Sequence, residues 1–513
     1  MSAKNVAKNS FFSVFSQLLI ILAGFFSQRV INLRLGTELI GLNGVISNII
    51  MVFSVSELGI STAIVYHLYS AITEGAEERI ASLMNLYRRA YLVVAGVMAV
   101  LGVFFLPFVH LVMKDNHFSL GYIRLIYGLW LLRSVLGYLL SYKRSIIIAD
   151  QREYLSSLAT MVISIFNYAS VILFVLWTGS YVTALSLGIV FEVIVNLLLI
   201  RYVDQQYPYL KKYRELAPSK EMRAEVFRNV KNLFFTRVSQ KLLSSTDNLI
   251  MSGFINLGIA GLFSNYCLIT QSLINIMQAL SGALQPTIGN LVVEKDRERD
   301  EDLLQSFTFV FFVVSAVIMA GVAGLASIFV SELWLGKEFV LSEMTVFLCA
   351  FNCMLYILFL PIGVYVNALG IFDREKWVAM TAALVNLFLS LVLVRRLEII
   401  GVMLGTTVAY GILFLGKSYI CYRSYFQKSA GRYELQVFGY ILLAAGEAWI
   451  SRKMAYLIYG GGGLWRFLLA AMACVCLPVF CNGILFCRSR QLRQTIQFVK
   501  NYKNLSKKRQ GEA

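Results

Sequence analysis

Apolar runs of about 20 residues, the length of a helix that crosses a bilayer, recur along this chain from residue 9 to residue 487. Nothing else in the sequence limits the fold so tightly. A chain in hydrocarbon must satisfy its backbone amides and carbonyls internally, which leaves helices and closed barrels. The alternating pattern of barrel strands is absent, and Leu, Ile, Val, Phe and Ala fill the runs. With 58% hydrophobic residues and 15% charged, the chain carries too much apolar surface for a water-soluble core. It reads as an all-α polytopic membrane protein. We place about fourteen spans, near 9–33, 40–66, 86–113, 118–148, 155–177, 181–203, 232–256, 259–292, 304–334, 339–370, 377–394, 399–422, 434–450 and 464–487. The first is too long for a signal-peptide core and has no small-residue cleavage site, so it reads as a retained helix.

The formal net charge is +17. A basic chain raises the question of nucleic acid, but here the cations flank the spans. With the N-terminus in the cytoplasm, 33 Lys and Arg fall on inside segments and 8 on outside ones. That bias places both termini inside and predicts a multi-pass protein of the cytoplasmic membrane, with lipid and no nucleic acid as its surroundings. The cysteines lie almost entirely in apolar spans without a CxxC pair, and the three histidines do not cluster, so no metal, cofactor or disulfide framework is predicted. External loops are short. A glycan polymerase or ligase would need a large external loop with catalytic residues, so the chain does not read as an enzyme.

An internal repeat organises the spans. Lys8–Gln17 reads KNSFFSVFSQ and Lys231–Gln240 reads KNLFFTRVSQ, with six of ten positions identical at an offset of 223. Leu35-Gly36 then matches Leu257-Gly258, and Gly41-Leu42 matches Gly261-Leu262. Asn167 and Asn386 occupy corresponding places further on. Six spans separate the two copies, so both begin inside and the repeats are parallel. The expected organisation is an N-lobe at 1–203, a basic cytoplasmic linker at 204–231, a C-lobe at 232–430, an extra helix pair at 431–487 and a basic cytoplasmic tail at 488–513. Each lobe would hold six helices, with a central cavity between them.

Gly411–Ser418, GILFLGKS, satisfies the phosphate-loop pattern. It lies at the inner end of an apolar helix with no strand before it, so Lys417 reads as a flanking charge. Charges within the spans carry more meaning, because they face a bundle interior or a water-filled cavity. Arg124 is shallow enough to reach the surface, and Glu447 is expected to pair with Arg452. Arg133, Arg237 and Lys241 are deep, and Arg29 lies nearer the outer end. Arg237 and Lys241 sit four apart on one helix face, where the first copy has Val14 and Leu18. We read Arg133, Arg237 and Lys241 as cavity-lining, and Arg29 as either cavity-lining or reaching to the outer surface. Buried pairing with Glu57, Glu192 or Asp247 is the alternative, and the same carboxylates are candidates for ion coupling. Gln240, Asn265, Gln271, Asn275 and Gln278 are candidate polar residues of the cavity. Deep arginines favour an anion such as phosphate, which the guanidinium fork meets with paired hydrogen bonds.

These patterns resemble a known family. The KNS-FF-S…Q helix is followed by Arg34–Leu42, a span ending in SELGISTAIVYHLY, and the second-half D-NLI-SGF…LG–GL-SNY. Together they resemble Wzx-type oligosaccharide flippases, the polysaccharide-transporter branch of the MOP superfamily, which also holds MATE-type multidrug exporters and the lipid II flippase. The resemblance covers roughly residues 5–430. It implies two six-helix lobes, and transfer of a polyprenyl-pyrophosphate-linked oligosaccharide from the inner to the outer leaflet by alternating access. It also implies work beside a polysaccharide polymerase and a chain-length regulator. A cation-coupled multidrug exporter and a lipid II flippase are the competing readings.

Overall fold

A computed structural model describes residues 3–54, 60–113, 117–150, 152–294 and 296–494. Along 3–11, 231–237, 239–245, 283–287 and 289–294, and at a few scattered positions, it describes the helical backbone alone. Every regular element among the described residues is a helix. The first half holds α1 (Ala3–Leu35), α2 (Thr37–Phe53), α3 (Ile60–Thr73), α4 (Glu77–Phe105), α5 (Leu120–Ser141), α6 (Arg144–Ala149), α7 (Glu153–Thr178), α8 (Tyr181–Gln206), α9 (Tyr209–Lys212) and α10 (Lys220–Phe254). The second holds α11 (Leu257–Glu294), α12 (Arg297–Ile328), α13 (Glu343–Leu358), α14 (Leu360–Leu369), α15 (Phe372–Cys421), α16 (Gly431–Tyr459) and α17 (Gly463–Phe486).

Ten described stretches are long and apolar enough to cross a bilayer. One of them contains all of α15, where Glu398 takes φ 49° and ψ −127° and divides two crossings. The apolar α2 is shorter, and charges lower the hydropathy of α10 and α16. With these included, the fourteen expected spans are accounted for. Several are broken within their length. The span expected at 40–66 holds α2 and α3, and the one at 118–148 holds α5 and α6. The span at 339–370 breaks at Phe359, two residues before Pro361, because proline supplies no N–H and its ring crowds the preceding turn.

The chain divides into two compact units, Met1–Asn265 and Tyr266–Ala513. In the first, α1 packs along α7, α7 along α8, α4 against α5, and α2 against α10. Phe166 and Phe191 stack 3.6 Å apart between α7 and α8. The start of α11 also belongs to this unit and crosses α2 at very close range. A Cβ on Gly41 would lie 2.2 Å from the Leu257 carbonyl oxygen, and one on Gly261 would lie 2.0 Å from that of Thr37. Only glycine permits such an approach. The two glycines that the repeat equates thus meet each other. Beside them, Gln28 and Asn32 of α1 donate to Asn265 Oδ1 at 2.7 and 2.9 Å.

In the second unit α12 packs against α13, α16 and α17, and Phe312 stacks on Tyr440 at 4.2 Å. The halves of α15 lie against each other: Asn386 Nδ2 donates to Thr406 Oγ1 at 3.1 Å, and a Cβ on Gly405 would be 2.4 Å from Ser390 Oγ. In the first unit Asn167 Oδ1 stands 2.0 Å from where a Cβ on Gly188 would be. The matched asparagines therefore do related work, each locking its helix to the next one through a small residue.

Candidate functional site

A cavity of about 380 Å³ opens inside the first unit, among α2, α4, α5, α6 and α8. On α5 its lining residues recur at helical spacing: Trp130, Arg133, Ser134, Gly137, Tyr138 and Ser141. Arg144 continues that stripe onto α6, Ser47 and Ser54 face it from α2, and Glu192 and Asn196 come from α8. The glycine leaves room, and the serines wet the wall.

Arg133 Nε donates to Glu192 Oε2 at 2.7 Å, with both side chains about three-quarters buried. The Arg133 guanidinium also lies 5.5 Å from the centre of the Trp130 ring, whose Nε1 donates to Asn43 at 3.0 Å. The arginine is thus held from two sides, through its Nε and through the face of its guanidinium. Arg144 Nη2 donates to Asn196 Oδ1 at 2.8 Å and Nη1 to Thr160 Oγ1 at 3.2 Å. Its buried Nε has no hydrogen-bond partner among the described residues. Two guanidiniums against one carboxylate leave the wall net positive, with donors arranged for an oxyanion.

Of the residues singled out in the sequence, Arg133 and Glu192 are brought together here. Arg29 is exposed on α1 and does not line this cavity. Glu57 and the side chains of Arg237, Gln240 and Lys241 lie outside the described residues. Asp247 is half-buried on α10. Asn265 is fully buried in the α1–α11 contact. In the second unit Gln271, Asn275 and Gln278 follow one face of α11: Gln271 donates to Asn275 at 2.9 Å, and Gln278 to the Tyr356 hydroxyl. Sequence reading passed over Arg144, Asn196 and Trp130. Arg144 was counted as an inner flank charge, although it lies eleven residues, three helical turns, beyond Arg133.

Two expectations are corrected. Lys417 is more than a flanking charge: its Nζ lies 2.8 Å from Glu375 Oε1, and Glu375 is 1% exposed. The lysine of the phosphate-loop pattern is therefore consumed by a buried carboxylate of the neighbouring half of α15. Glu447 does not pair with Arg452. Arg452 reaches Glu343 at 2.7 Å, and Glu447 instead accepts from Asn482 at 3.0 Å. The reason is direction: residues five apart on a helix do not share a face, and Glu447 points inward to α17.

The fold is similar to that of solved lipid II flippase and MATE transporter structures. Among solved structures, the chain is similar to the lipid II flippase MurJ in its inward closed conformation, at 14% identity and TM-score 0.69, covering 93% of this chain and 98% of that one. It is similar to a MATE family multidrug resistance transporter in its inward-facing conformation, at 14% identity and TM-score 0.58, covering 80% and 97%. The Vibrio cholerae MATE transporter VcmN, in a mutant form, gives 17% identity and TM-score 0.58 over 82% and 97%. No family model and no curated protein matches the sequence. At these identities the likeness is one of fold.

Proposed function

We propose that the chain is a flippase that moves a polyprenyl-pyrophosphate-linked oligosaccharide from the inner to the outer leaflet of the cytoplasmic membrane, for building a cell-surface polysaccharide. The observation that carries this reading is the net-positive wall of Arg133 and Arg144, in which Arg133 is anchored to Glu192 through its Nε. A pyrophosphate offers the paired acceptors that a guanidinium fork binds. The serines and Asn196 suit the first sugar. Alternating access supplies the movement, and Glu192, in contact with Arg133, is the group that would couple it to an ion. The pathway's polymerase and chain-length regulator are its expected partners.

A second reading has its own support. The MurJ structure matches 93% of the chain while the MATE structures above match about four-fifths, which favours the lipid II flippase over the multidrug exporters. Lipid II is itself a polyprenyl-pyrophosphate-linked glycan, and the two readings share the anion site.

The test is reconstitution in vesicles with a fluorescent polyprenyl-pyrophosphate oligosaccharide, followed by quenching from one side. The expected result is protein-dependent movement of label that Arg133→Gln abolishes. Movement of drug-like cations with no effect on the labelled lipid would overturn the proposal in favour of a multidrug exporter. Preference for a lipid II probe over other glycans would assign the second reading.

A further inference from the structure

We infer that Glu447, Ser451 and Asn482, together with the main-chain carbonyl of Cys474, form a binding site for a sodium-sized monovalent cation between α16 and α17. The pair lies outside the internal repeat, in the second unit. Glu447 is 6% exposed, Asn482 2% and Ser451 0%. Asn482 Nδ2 donates to Glu447 Oε2 at 3.0 Å and to the Pro478 carbonyl at 2.9 Å. Three buried oxygens remain: Glu447 Oε1, Ser451 Oγ and Asn482 Oδ1 have no hydrogen-bond partner among the described residues.

These oxygens share one depth. Glu447 and Ser451 are four apart on α16, hence one above the other on one face. Cys474, Pro478 and Asn482 follow the same rule on α17, which runs against α16. Two contacts fix the register: Glu447 meets Asn482, and Cys474 Sγ lies 3.8 Å from the Ser451 carbonyl. Pro478 adds a fourth oxygen. In an α-helix the Cys474 carbonyl would accept from the amide of residue 478, and proline has none.

The charge balance sets the class of ligand. A buried carboxylate with no positive partner is costly, and among the described residues none faces this one. Arg452 is engaged by Glu343 at 2.7 Å. The packed face of α12 between Phe312 and Gly324 carries no charged residue, and a Cβ on Gly324 would lie 2.9 Å from Cys474 Sγ, so α12 closes the cluster with apolar groups. Tyr440 on α16 is occupied by Gln436 at 2.7 Å. The remaining basic residues of the pair, Arg432, Lys453 and Arg466, are all exposed, and Lys453 lies over the Trp449 ring at 3.6 Å. The other titratable groups, Tyr433, Glu434, Tyr456, Tyr459, Cys474, Cys476 and Cys481, carry no positive charge. One carboxylate and three neutral oxygens neutralise one positive charge. A divalent ion would leave an uncompensated charge in a low-dielectric interior, and calcium sites gather more carboxylates. A proton would engage a single carboxyl oxygen and do nothing for the Cys474 carbonyl.

The test uses the full-length protein in detergent, with thermal unfolding measured in NaCl, KCl or choline chloride at fixed ionic strength and pH. Ligand that binds the folded state raises the midpoint in a saturable way. We expect saturable stabilisation by sodium over potassium and choline, and its loss in Glu447→Gln. Ser451→Ala keeps the carboxylate and decides the matter if Glu447→Gln fails to fold. It should raise the half-saturating sodium concentration roughly ten-fold or more, as loss of a metal-site group does. Equal effects of the three salts would overturn the inference. So would a sodium effect unchanged in both variants, or stabilisation that follows pH alone.

Discussion

Arg133 is held in place by the group that also opposes its proposed ligand. Glu192 orients the guanidinium at 2.7 Å and places a negative charge beside any bound anion. The two roles separate on mutation. Glu192→Gln should tighten binding of a pyrophosphate lipid by about ten-fold, or about 1.4 kcal/mol, while it removes any ion dependence of transport. Arg133→Lys should keep part of the activity, because the charge survives and the fork does not. Titration of purified protein with the labelled lipid, beside expression level, checks both; weaker binding in Glu192→Gln would mean that the pair is structural. Lys417 gives the opposite case. Its partner Glu375 is 1% exposed, so Lys417→Ala strands a buried carboxylate and should cost about 3–5 kcal/mol of stability. Lys417→Met with Glu375→Leu should regain most of the loss in thermal unfolding. If instead Lys417→Ala abolished an ATPase activity at unchanged stability, the phosphate-loop pattern would be functional.

At the scale of elements, the glycine crossing of α2 and α11 brings backbone directly against backbone. Gly41→Ala or Gly261→Ala forces a Cβ to within 2.2 or 2.0 Å of a carbonyl oxygen and should destabilise by about 1–3 kcal/mol. Gly96→Ala, where a Cβ meets nothing within 4 Å, is the control and should leave the unfolding midpoint unchanged. Equal midpoints in all three variants would show that the crossing does not form. The sequence made these glycines visible as a repeat pair, and it made Asn167 and Asn386 visible in the same way. It did not say that the glycines touch. Similarity between two copies reports common shape, whereas contact depends on how the copies pack. The breaks within spans were equally hidden, because a hydropathy average over many residues cannot register one Pro361 or one turn at Tyr142. Arg133 and Glu192 stood out because a deep charge is costly wherever it is. Arg144 did not, since an arginine at a helix end already has an ordinary explanation.

At the scale of the whole molecule, orientation rests on the distribution of cations. Lys and Arg together number 33 on one side and 8 on the other, and chains retain such residues on the cytoplasmic face because translocating them is unfavourable. Among the segments between spans, the linker between the repeats, 204–231, carries the most cations. It is folded: Asn85 of α4 donates to the carbonyls of Tyr213 and Leu216 at 2.8 and 2.9 Å, and Lys143 binds Asp204. Glu221, exposed in the first turn of α10, is a suitable reporter because a reagent can reach it and its loss leaves the helix cap at Ser219 intact. In a variant without native cysteines, Glu221→Cys should resist an impermeant thiol reagent in intact cells and react once the cells are permeabilised. A cysteine at Lys337, exposed between α12 and α13, should show the reverse, reacting in intact cells. The two sites test one another, since a buried or unreactive cysteine fails in both conditions while an inverted protein exchanges the results. Labelling at Glu221→Cys with protection at Lys337→Cys would invert the topology and send the proposed lipid substrate the wrong way across the bilayer.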